Sequence, residues 1–442
     1  MNRSSSNKSY LIRKKNKRKF IFLYVFLTFQ IFSEPKTQTI KQTSIFDPDQ
    51  LLWSNPVDII LEEGKISSVL PSKDTGKIEH YATRGFCDAY VTISANSNFG
   101  ESSLAEKQRA VQSFLRHGFV RVESVGDSQE TRKNFQPNFP IHLSFSEKPI
   151  VIPNEELSDN PKNFHIVNSK EEVLEVLQKS SQKQNRIFLF SKSDSDNIFL
   201  TPEVLYELNQ ISESKGAKLI YAGFGDPSFI SHVFTSGGKY IFFGIPDNTY
   251  QPLSIRSLKH SPMLVVAYFF RKQNTKDLKF DFQQLQKNDP TFKEFYSEFA
   301  ERMVPDATSL DLETQKLRDY EYESYFQFLK KNPELLDSIL FGSGAGHFFS
   351  FPGVSAVYET FLWEEAFGDG YQERKKILKS LVKNTCEYLG EEFPGKITKG
   401  APADLLVFKE NPTLSRFGFF KIDSVFVKGR YIEWKNAPKK KK

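Results

Sequence analysis

The sequence Ile339-Leu-Phe-Gly-Ser-Gly-Ala-Gly346 joins a short apolar run to three closely spaced glycines. Such a run is typical of a fully buried parallel strand that ends in a loop. Two amphipathic segments, 358–367 and 374–389, follow and predict helices. Strands separated by glycine turns are predicted from 395 to 432. The carboxyl-terminal third is therefore expected to contain a strand, two helices and a final group of strands.

Length and charge limit the functions that need to be considered. The 442 residues are enough for a large α/β core and a smaller second domain. The formal charge of +6 becomes −7 without the eight Lys and Arg of residues 1–33 and the five lysines after Trp434. Because the rest of the chain is acidic, nucleic-acid binding is not expected.

The amino terminus has the pattern of an export signal. Residues 13–19 are mostly basic, residues 20–32 are mostly apolar, and Ser33 follows. The apolar run is shorter than the roughly 20 residues that span a bilayer. Residues 1–33 are therefore predicted to be a signal peptide or an N-terminal anchor, with an ordinary core helix as the third interpretation. We expect an exported protein, periplasmic or membrane-anchored outside the cytoplasm, that contacts the membrane only through this segment. Residues 435–442 are predicted to be a basic tail.

The chain contains two cysteines, Cys87 and Cys386, which are too few for a disulfide scaffold. The favoured interpretation is two buried free thiols. One disulfide between them is the alternative in an oxidising compartment.

Several motifs occur in an order that resembles the amidohydrolase superfamily, in particular its imidazolonepropionase-like and prolidase-like members. They are a predicted hairpin at 57–69 turning at Gly64, the segment Arg84-Gly-Phe-Cys-Asp-Ala-Tyr-Val-Thr92, the segment 118–127, the segment 237–244, the loop 342–353 and the segment 400–408. The resemblance covers about residues 55–432 and implies a (β/α)8 TIM-type barrel with a small discontinuous β-sandwich. It implies a composite sandwich from 34–82 and 390–434, and a barrel at 83–389.

Members of this family are metal-dependent hydrolases of carbon–nitrogen bonds, and their metal ligands lie on the barrel strands. In this chain the matching positions carry other residue types. The resemblance places Tyr90, Thr92, Phe188, Tyr221, Phe243 and Gly344 at the positions of the family's ligands, which are histidines, a carboxylated lysine and an aspartate. None of the six is a usual ligand for a hydrolytic zinc. Lys192 could be recruited only by a four-residue shift and is otherwise an exposed loop lysine. We therefore expect no metal cofactor.

Three residues remain as weak catalytic candidates. His347 follows the glycine-rich loop at the carboxyl-terminal face, where barrel enzymes carry out their chemistry. With Asp88 or Glu123 it could form a displaced acid–base pair. The alternative is a capping or loop-packing role for His347, and a role in strand geometry for Asp88.

Three functional hypotheses follow from these observations. The leading hypothesis is an exported amidohydrolase-like protein that is catalytically degenerate and binds a small molecule or a protein partner. The second is an active hydrolase with a relocated or reduced metal site, in which case zinc would be the cofactor. The third is an interaction protein that uses the aromatic-rich segment 280–330 as a surface. An exposed cluster formed by Phe282, Phe292, Phe295, Tyr296 and Phe299 would favour the third. The chain could also form oligomers.

Overall fold

The structure is a computed structural model. It describes residues 37–74, 76–95, 101–152, 163–180, 186–192, 200–224, 227–244, 258–272, 276–297, 312–346 and 350–433. The predicted signal or anchor at 1–33 and the predicted basic tail at 435–442 lie outside these ranges. Within them, no helix combines the length and the apolar character needed to cross a bilayer.

A mixed sheet combines strands from the beginning and the end of the described chain. Its strands are β1 (Gln38–Asp47), β2 (Leu52–Trp53), β3 (Val57–Glu62), β4 (Lys65–Pro71), β5 (His80–Arg84), β15 (Leu405–Phe408), β16 (Ser424–Val427) and β17 (Arg430–Tyr431). The strand order is β17-β16-β15-β5-β1-β3-β4, and β2 pairs with β1. The sheet therefore joins residues more than 300 positions apart in sequence.

The hairpin predicted at 57–69 is confirmed as β3 and β4, which pair antiparallel. Gly64 has a φ of +80° at the turn, a conformation that L side chains rarely adopt. Ile59, Leu61 and Ile66 are buried, and their alternation with more exposed neighbours places one face of the hairpin against the core.

Two parallel sheets form the larger part of the molecule. One contains β6 (Phe86–Val91), β7 (Phe119–Ser124) and β8 (His142–Phe145). The other has the order β10-β9-β11-β12-β13-β14, with β9 (Ile150–Val151), β10 (His165–Ile166), β11 (Arg186–Lys192), β12 (Lys218–Phe224), β13 (Tyr240–Phe242) and β14 (Lys259–Ser261). Parallel strands need helical crossovers, and helices do follow most of these strands.

The glycine-rich segment 339–345 lies between the two parallel sheets. The amide of Leu340 donates to the carbonyl oxygen of His260 on β14 over 2.8 Å. On the other side, the amide of Ala89 on β6 donates to the carbonyl oxygen of Phe341 over 2.9 Å. Residues 339–341 are buried as predicted, but they do not form the predicted regular strand. Their hydrogen bonds connect β14 to β6.

The helices are named in chain order: α1 (Leu104–Arg116), α2 (Gln129–Asn134), α3 (Lys170–Lys179), α4 (Pro202–Ser214), α5 (Pro227–Thr235), α6 (Leu264–Arg271), α7 (Lys276–Asn288), α8 (Pro290–Phe295), α9 (Leu312–Lys331), α10 (Val354–Phe367), α11 (Tyr371–Lys379) and α12 (Thr385–Tyr388). Short 3-10 helices occur at Pro333–Asp337, Pro412–Leu414 and Gly418–Phe420, and a π-helix at Ser380–Asn384 joins α11 to α12. The described part of the molecule is thus a mixed α/β protein with curled sheets and helices.

The apolar run 263–268 has the pattern of a seventh barrel strand, but it does not form that strand. The strand is β14, at Lys259–Ser261, and residues 264–271 form α6. The run Met263-Leu-Val-Val-Ala-Tyr268 is uniformly apolar, and a short run of this kind fits a buried strand or a buried helix equally well.

The interpretation of the cysteines as free thiols is also wrong, although both residues are buried as expected. Cys87 on β6 and Cys386 on α12 form a disulfide across a sequence separation of 299 residues. This bond links the beginning of the first parallel strand to the last helix before the chain returns to the mixed sheet.

Candidate functional site

An aromatic cluster surrounds Tyr90 on β6. Its ring centroid lies 5.4 Å from Phe188 and 6.4 Å from Phe190, both on β11. It lies 6.2 Å from Phe242 on β13 and 5.7 Å from Phe243 directly after it. Tyr90, Phe188, Phe242 and Phe243 are at most 3% exposed. Edge-to-face packing of several rings therefore fills the space between three strands.

Two further members of the predicted set, Thr92 and Gly344, lie beside this cluster. The amide of Gly344 donates to the carbonyl oxygen of Tyr90 over 3.0 Å, and a β-carbon at Gly344 would lie 3.8 Å from the Phe243 ring. Thr92 is buried, and its hydroxyl donates to the carbonyl oxygen of Val125 over 2.7 Å. Five of the six predicted positions, namely Tyr90, Thr92, Phe188, Phe243 and Gly344, are therefore in one region.

Tyr221 does not join them. Its hydroxyl donates to Asn209 on α4 over 2.7 Å, and its ring packs 6.1 Å from Phe229 on α5. Because successive side chains of a strand point to opposite faces, Tyr221 faces the helices. Tyr90 and Tyr221 are both buried and point to different layers, so they do not line one common cavity.

Asp88 is buried below Tyr90 on β6. Its Oδ1 accepts hydrogen bonds from the amides of Tyr90 and Ser343, each over 3.1 Å, and its Oδ2 has no partner. Burial raises the pKa of Asp88 from 3.8 to about 7, against the hydrogen bonds from Ser343 and Tyr90, which lower it. These two hydrogen bonds connect β6 to the glycine-rich segment. Asp88 therefore has a role in strand geometry, because it holds β6 in place against that segment.

The raised pKa of Asp88 predicts a pH effect on stability. The folded state favours the neutral carboxyl, so Asp88 contributes its full stabilisation of the fold below the pKa that it has in the unfolded chain. This stabilisation is lost as pH rises toward about 7. We expect the free energy of unfolding to fall by about 1.4 kcal/mol per pH unit from this group in that window. Asp88→Asn should remove this part of the slope, which urea unfolding at a series of pH values measures.

Asp277→Asn, on the exposed surface of α7, is the matched control and should leave the slope unchanged. Some slope should remain in Asp88→Asn because burial also raises the pKa of Glu359 to about 8. Equal slopes for the wild type and Asp88→Asn would contradict the prediction.

Glu123 on β7 forms a buried ion pair with Arg186. Burial raises the pKa of Glu123 to about 6, while the charges of Arg186 and Lys218 lower it. Arg186 and Lys218 are the first residues of β11 and β12. Glu123 therefore lies at the amino ends of these strands, whereas parallel barrels carry out their chemistry at the carboxyl ends. Glu123 and Asp88 therefore have separate partners, and the contacts of Glu123 give it the role of neutralising Arg186. The third candidate, His347, lies outside the described part of the chain. Lys192, interpreted from the sequence as a loop lysine, is instead the last residue of β11, and its side chain lies outside the described part.

One group in the described ranges has the spacing of metal ligands, namely Cys87, Cys386 and Glu391, whose ligand atoms lie within 4.8 Å of one another. Both sulfurs are in the disulfide, and a metal requires thiolates. Glu391 forms ion pairs with Arg84 and Arg121, whose positive charges also oppose a bound cation.

Asp127 is a buried acid that the sequence interpretation did not select. It follows β7, and its Oδ1 accepts a hydrogen bond from the amide of Ser94 over 2.8 Å, while its Oδ2 has no partner. Burial raises the pKa of Asp127 to about 6, against hydrogen bonds from Ser124 and Ser94. An acidic residue directly after a predicted strand, here Gly126-Asp127, is the signal that could have identified it.

The fold is similar to solved hydrolase structures. A candidate prolidase from Bifidobacterium longum superposes with a TM-score of 0.67 at 14% identity, covering 90% of this chain and 94% of that one. A Xaa-Pro dipeptidase with bound methionine in its active site gives 0.65 at 15% identity, covering 90% and 100%. Molinate hydrolase gives 0.56 at 11% identity, covering 91% and 96%.

Comparison of the sequence with protein-family models and with curated proteins gives no match. The structural similarity extends over nearly the whole length of the solved proteins and agrees with the order of motifs in the sequence. The chain therefore has the fold of the amidohydrolase superfamily.

Proposed function

We propose that this protein is a catalytically degenerate relative of the hydrolases that act on carbon–nitrogen bonds, and that it binds a small molecule or a protein partner. The observation that carries the proposal is the packing of Tyr90 against Phe188 and Phe243, at positions where the family resemblance expects metal ligands. Similarity of fold alone would not distinguish an active enzyme from a degenerate one.

The residues at these positions do not fit a hydrolytic metal ion. Zinc needs neutral imidazole, thiolate or carboxylate donors, and phenylalanine and glycine side chains offer none. Burial raises the pKa of the Tyr90 phenol further above its ordinary value, so this group stays protonated. The Thr92 hydroxyl is already bonded to a carbonyl oxygen. Rings packed around the site would also increase the cost of burying a divalent charge.

The proposal also includes the complete architecture of the fold and the location of the protein in the cell. Strands taken from the two parallel sheets would form an eight-stranded barrel together with the segment 339–345, and the mixed sheet would belong to a composite sandwich. The hydrogen bonds of Leu340 and Ala89 that link this segment to its neighbours support the barrel. The Cys87–Cys386 disulfide supports export, because disulfides persist mainly in oxidising compartments.

Metal content tests the proposal. The purified protein should be loaded with zinc or manganese, dialysed against metal-free buffer and measured by elemental mass spectrometry. We expect the retained metal to be far below stoichiometric, whereas a zinc enzyme treated in the same way should keep its metal. Near-stoichiometric retention would refute the loss of the metal site and favour the second hypothesis, a relocated or reduced site.

The third hypothesis, a surface formed by segment 280–330, is not supported by the packing. Phe282 and Phe292 are buried, and both rings pack against Phe351. Phe295 lies under the guanidinium of Arg116, at 4.7 Å from its ring centroid. Phe299 lies outside the described residues. The described aromatic residues of the predicted cluster are thus part of the packing between this segment and the rest of the molecule.

A further inference from the structure

Asp127 has one carboxyl oxygen that no group in the described chain uses, and it lies beyond the carboxyl ends of β6 and β7. Its Oδ1 accepts the hydrogen bond from the amide of Ser94 over 2.8 Å, whereas its Oδ2 is buried without a partner. Asp127 is 4% exposed, but Gly126 and Ser128 on either side of it are only half-buried. The carboxyl group therefore lies just below the surface at the strand ends where parallel sheets bind their ligands.

Two serine hydroxyl groups hold this carboxyl group in place. The Oγ of Ser124 accepts a hydrogen bond from the amide of Ile93 over 2.8 Å, and the Oγ of Ser94 accepts one from the amide of Ser128 over 3.3 Å. Their O–H groups remain to donate, and hydrogen bonds from Ser124 and Ser94 lower the pKa of Asp127 against the larger, opposite effect of burial. The carboxyl group is thus fixed by neutral donors, while one oxygen stays open.

The charge of Asp127 lacks a direct counter-ion. No Lys, Arg or His side chain forms an ion pair with Asp127 among the described residues, and the charge of Arg132 has the smallest of the effects on its pKa. With a pKa of about 6, the group is mostly ionised at pH 8. A buried ionised oxygen without a donor is costly, and a positively charged N–H donor compensates it better than a neutral one.

Aromatic rings lie within electrostatic range of the same carboxyl group. After the larger effect of burial, the negative charge of Asp127 raises the pKa of the Tyr90 phenol. The Tyr90 ring packs 6.4 Å from that of Phe190, and Phe190 is half-buried whereas Tyr90 is buried. The aromatic cluster therefore has an accessible edge at this end of the strands. A carboxylate beside aromatic rings is a combination that favours an organic cation over an anion.

We propose that Asp127 is the anchor of a binding site for a small organic ammonium ion at the carboxyl ends of β6 and β7. The free Oδ2 accepts a hydrogen bond from the ammonium group, and the hydrocarbon part of the ligand extends toward the ring of Tyr90. A metal ion fits this site less well, because it needs several oxygen ligands and the oxygens of Ser94 and Ser124 already accept amide hydrogen bonds. The inference rests on the proposed small-molecule binding and names its ligand class.

Four probes test the ligand class by isothermal titration calorimetry at pH 8 and constant ionic strength. They are n-butylammonium, 1-butanol, butyrate and ammonium chloride. We expect n-butylammonium to bind one to one and roughly tenfold more tightly than 1-butanol, which keeps a donor without the charge. Butyrate should not bind measurably, because its charge is repelled. Ammonium chloride should bind more weakly than n-butylammonium, because it lacks the hydrocarbon part.

A substitution assigns the contact to Asp127. Asp127→Asn keeps the size of the side chain and one carbonyl oxygen but removes the charge, so n-butylammonium should bind it roughly tenfold more weakly and no better than 1-butanol. Asp277→Asn, on the exposed surface of α7, removes one negative charge elsewhere and should bind like the wild type. In the wild type, n-butylammonium should also shift the ring resonances of Tyr90, a measurement that needs no variant.

The inference is overturned if n-butylammonium does not bind, if 1-butanol binds as tightly, or if Asp127→Asn keeps the preference for the cation. Equal weakening by Asp277→Asn would show attraction to the acidic surface in general and would also overturn it. Metal content measured on the same preparation separates this result from the proposed function. Metal-free protein that fails to bind n-butylammonium refutes the ammonium site alone, and retained metal with normal n-butylammonium binding refutes the catalytic degeneracy alone.

Discussion

The substitution Gly344→Asp is expected to lower the free energy of unfolding by about 3 to 5 kcal/mol. It places an aspartate where the family resemblance expects a metal ligand. A β-carbon at Gly344 would lie 2.3 Å from Cγ2 of Val266, so α6 would have to move. The new carboxylate would also be buried among the apolar side chains of Val266, Met263 and Phe243. Urea unfolding measures the loss, and elemental analysis should still find little retained metal.

Three substitutions separate the causes of this loss of stability. Gly344→Ala adds the clash and the backbone strain, and Gly344→Asn adds a side chain of the same size as aspartate without its charge. Gly216→Asp is the control for backbone strain, because Gly216 has a similar φ of +65° and a β-carbon there would meet no atom within 4 Å. It should cost less than about 1 kcal/mol. A Gly344→Asp protein as stable as the wild type and loaded with zinc would show that the site is adaptable and would contradict the proposed loss.

The resemblance to the family predicted that Tyr90, Phe188, Phe243 and Gly344 lie close together, because it places all four at the positions of ligands to one metal site. The same reasoning failed at Tyr221, where the side chain faces the helices. The alternation of a strand has a period of two, so an assignment one residue away exchanges the inner and outer faces. Ala222, the next residue, pairs in register with Phe190 and Phe242 of the cluster strands.

The remaining differences arise from information that local pattern does not contain. Whether Cys87 and Cys386 pair depends on how β6 and α12 pack, and 299 residues separate them. The approach of Phe164 to Gly126 likewise depends on how two loops pack. Composition and periodicity describe single elements, so contacts between loops could not be predicted from them.

Reduction of the Cys87–Cys386 disulfide is expected to lower the free energy of unfolding by about 3 to 5 kcal/mol. A cross-link that closes a long loop restricts the unfolded chain, and this restriction grows with loop length. The separation of 299 residues puts this bond toward the upper end of that range. Equilibrium urea unfolding with and without dithiothreitol measures the difference.

The double variant Cys87→Ala, Cys386→Ala provides the control, because it should be as unstable as the reduced wild type and should not respond to dithiothreitol. A single Cys386→Ala variant leaves one buried thiol and should behave like the double variant, which separates the loss of the cross-link from the loss of Cys87 packing. Two titratable thiols in unfolded protein prepared under oxidising conditions would contradict the disulfide. Because disulfides persist mainly in oxidising compartments, that outcome would also remove the structural support for export.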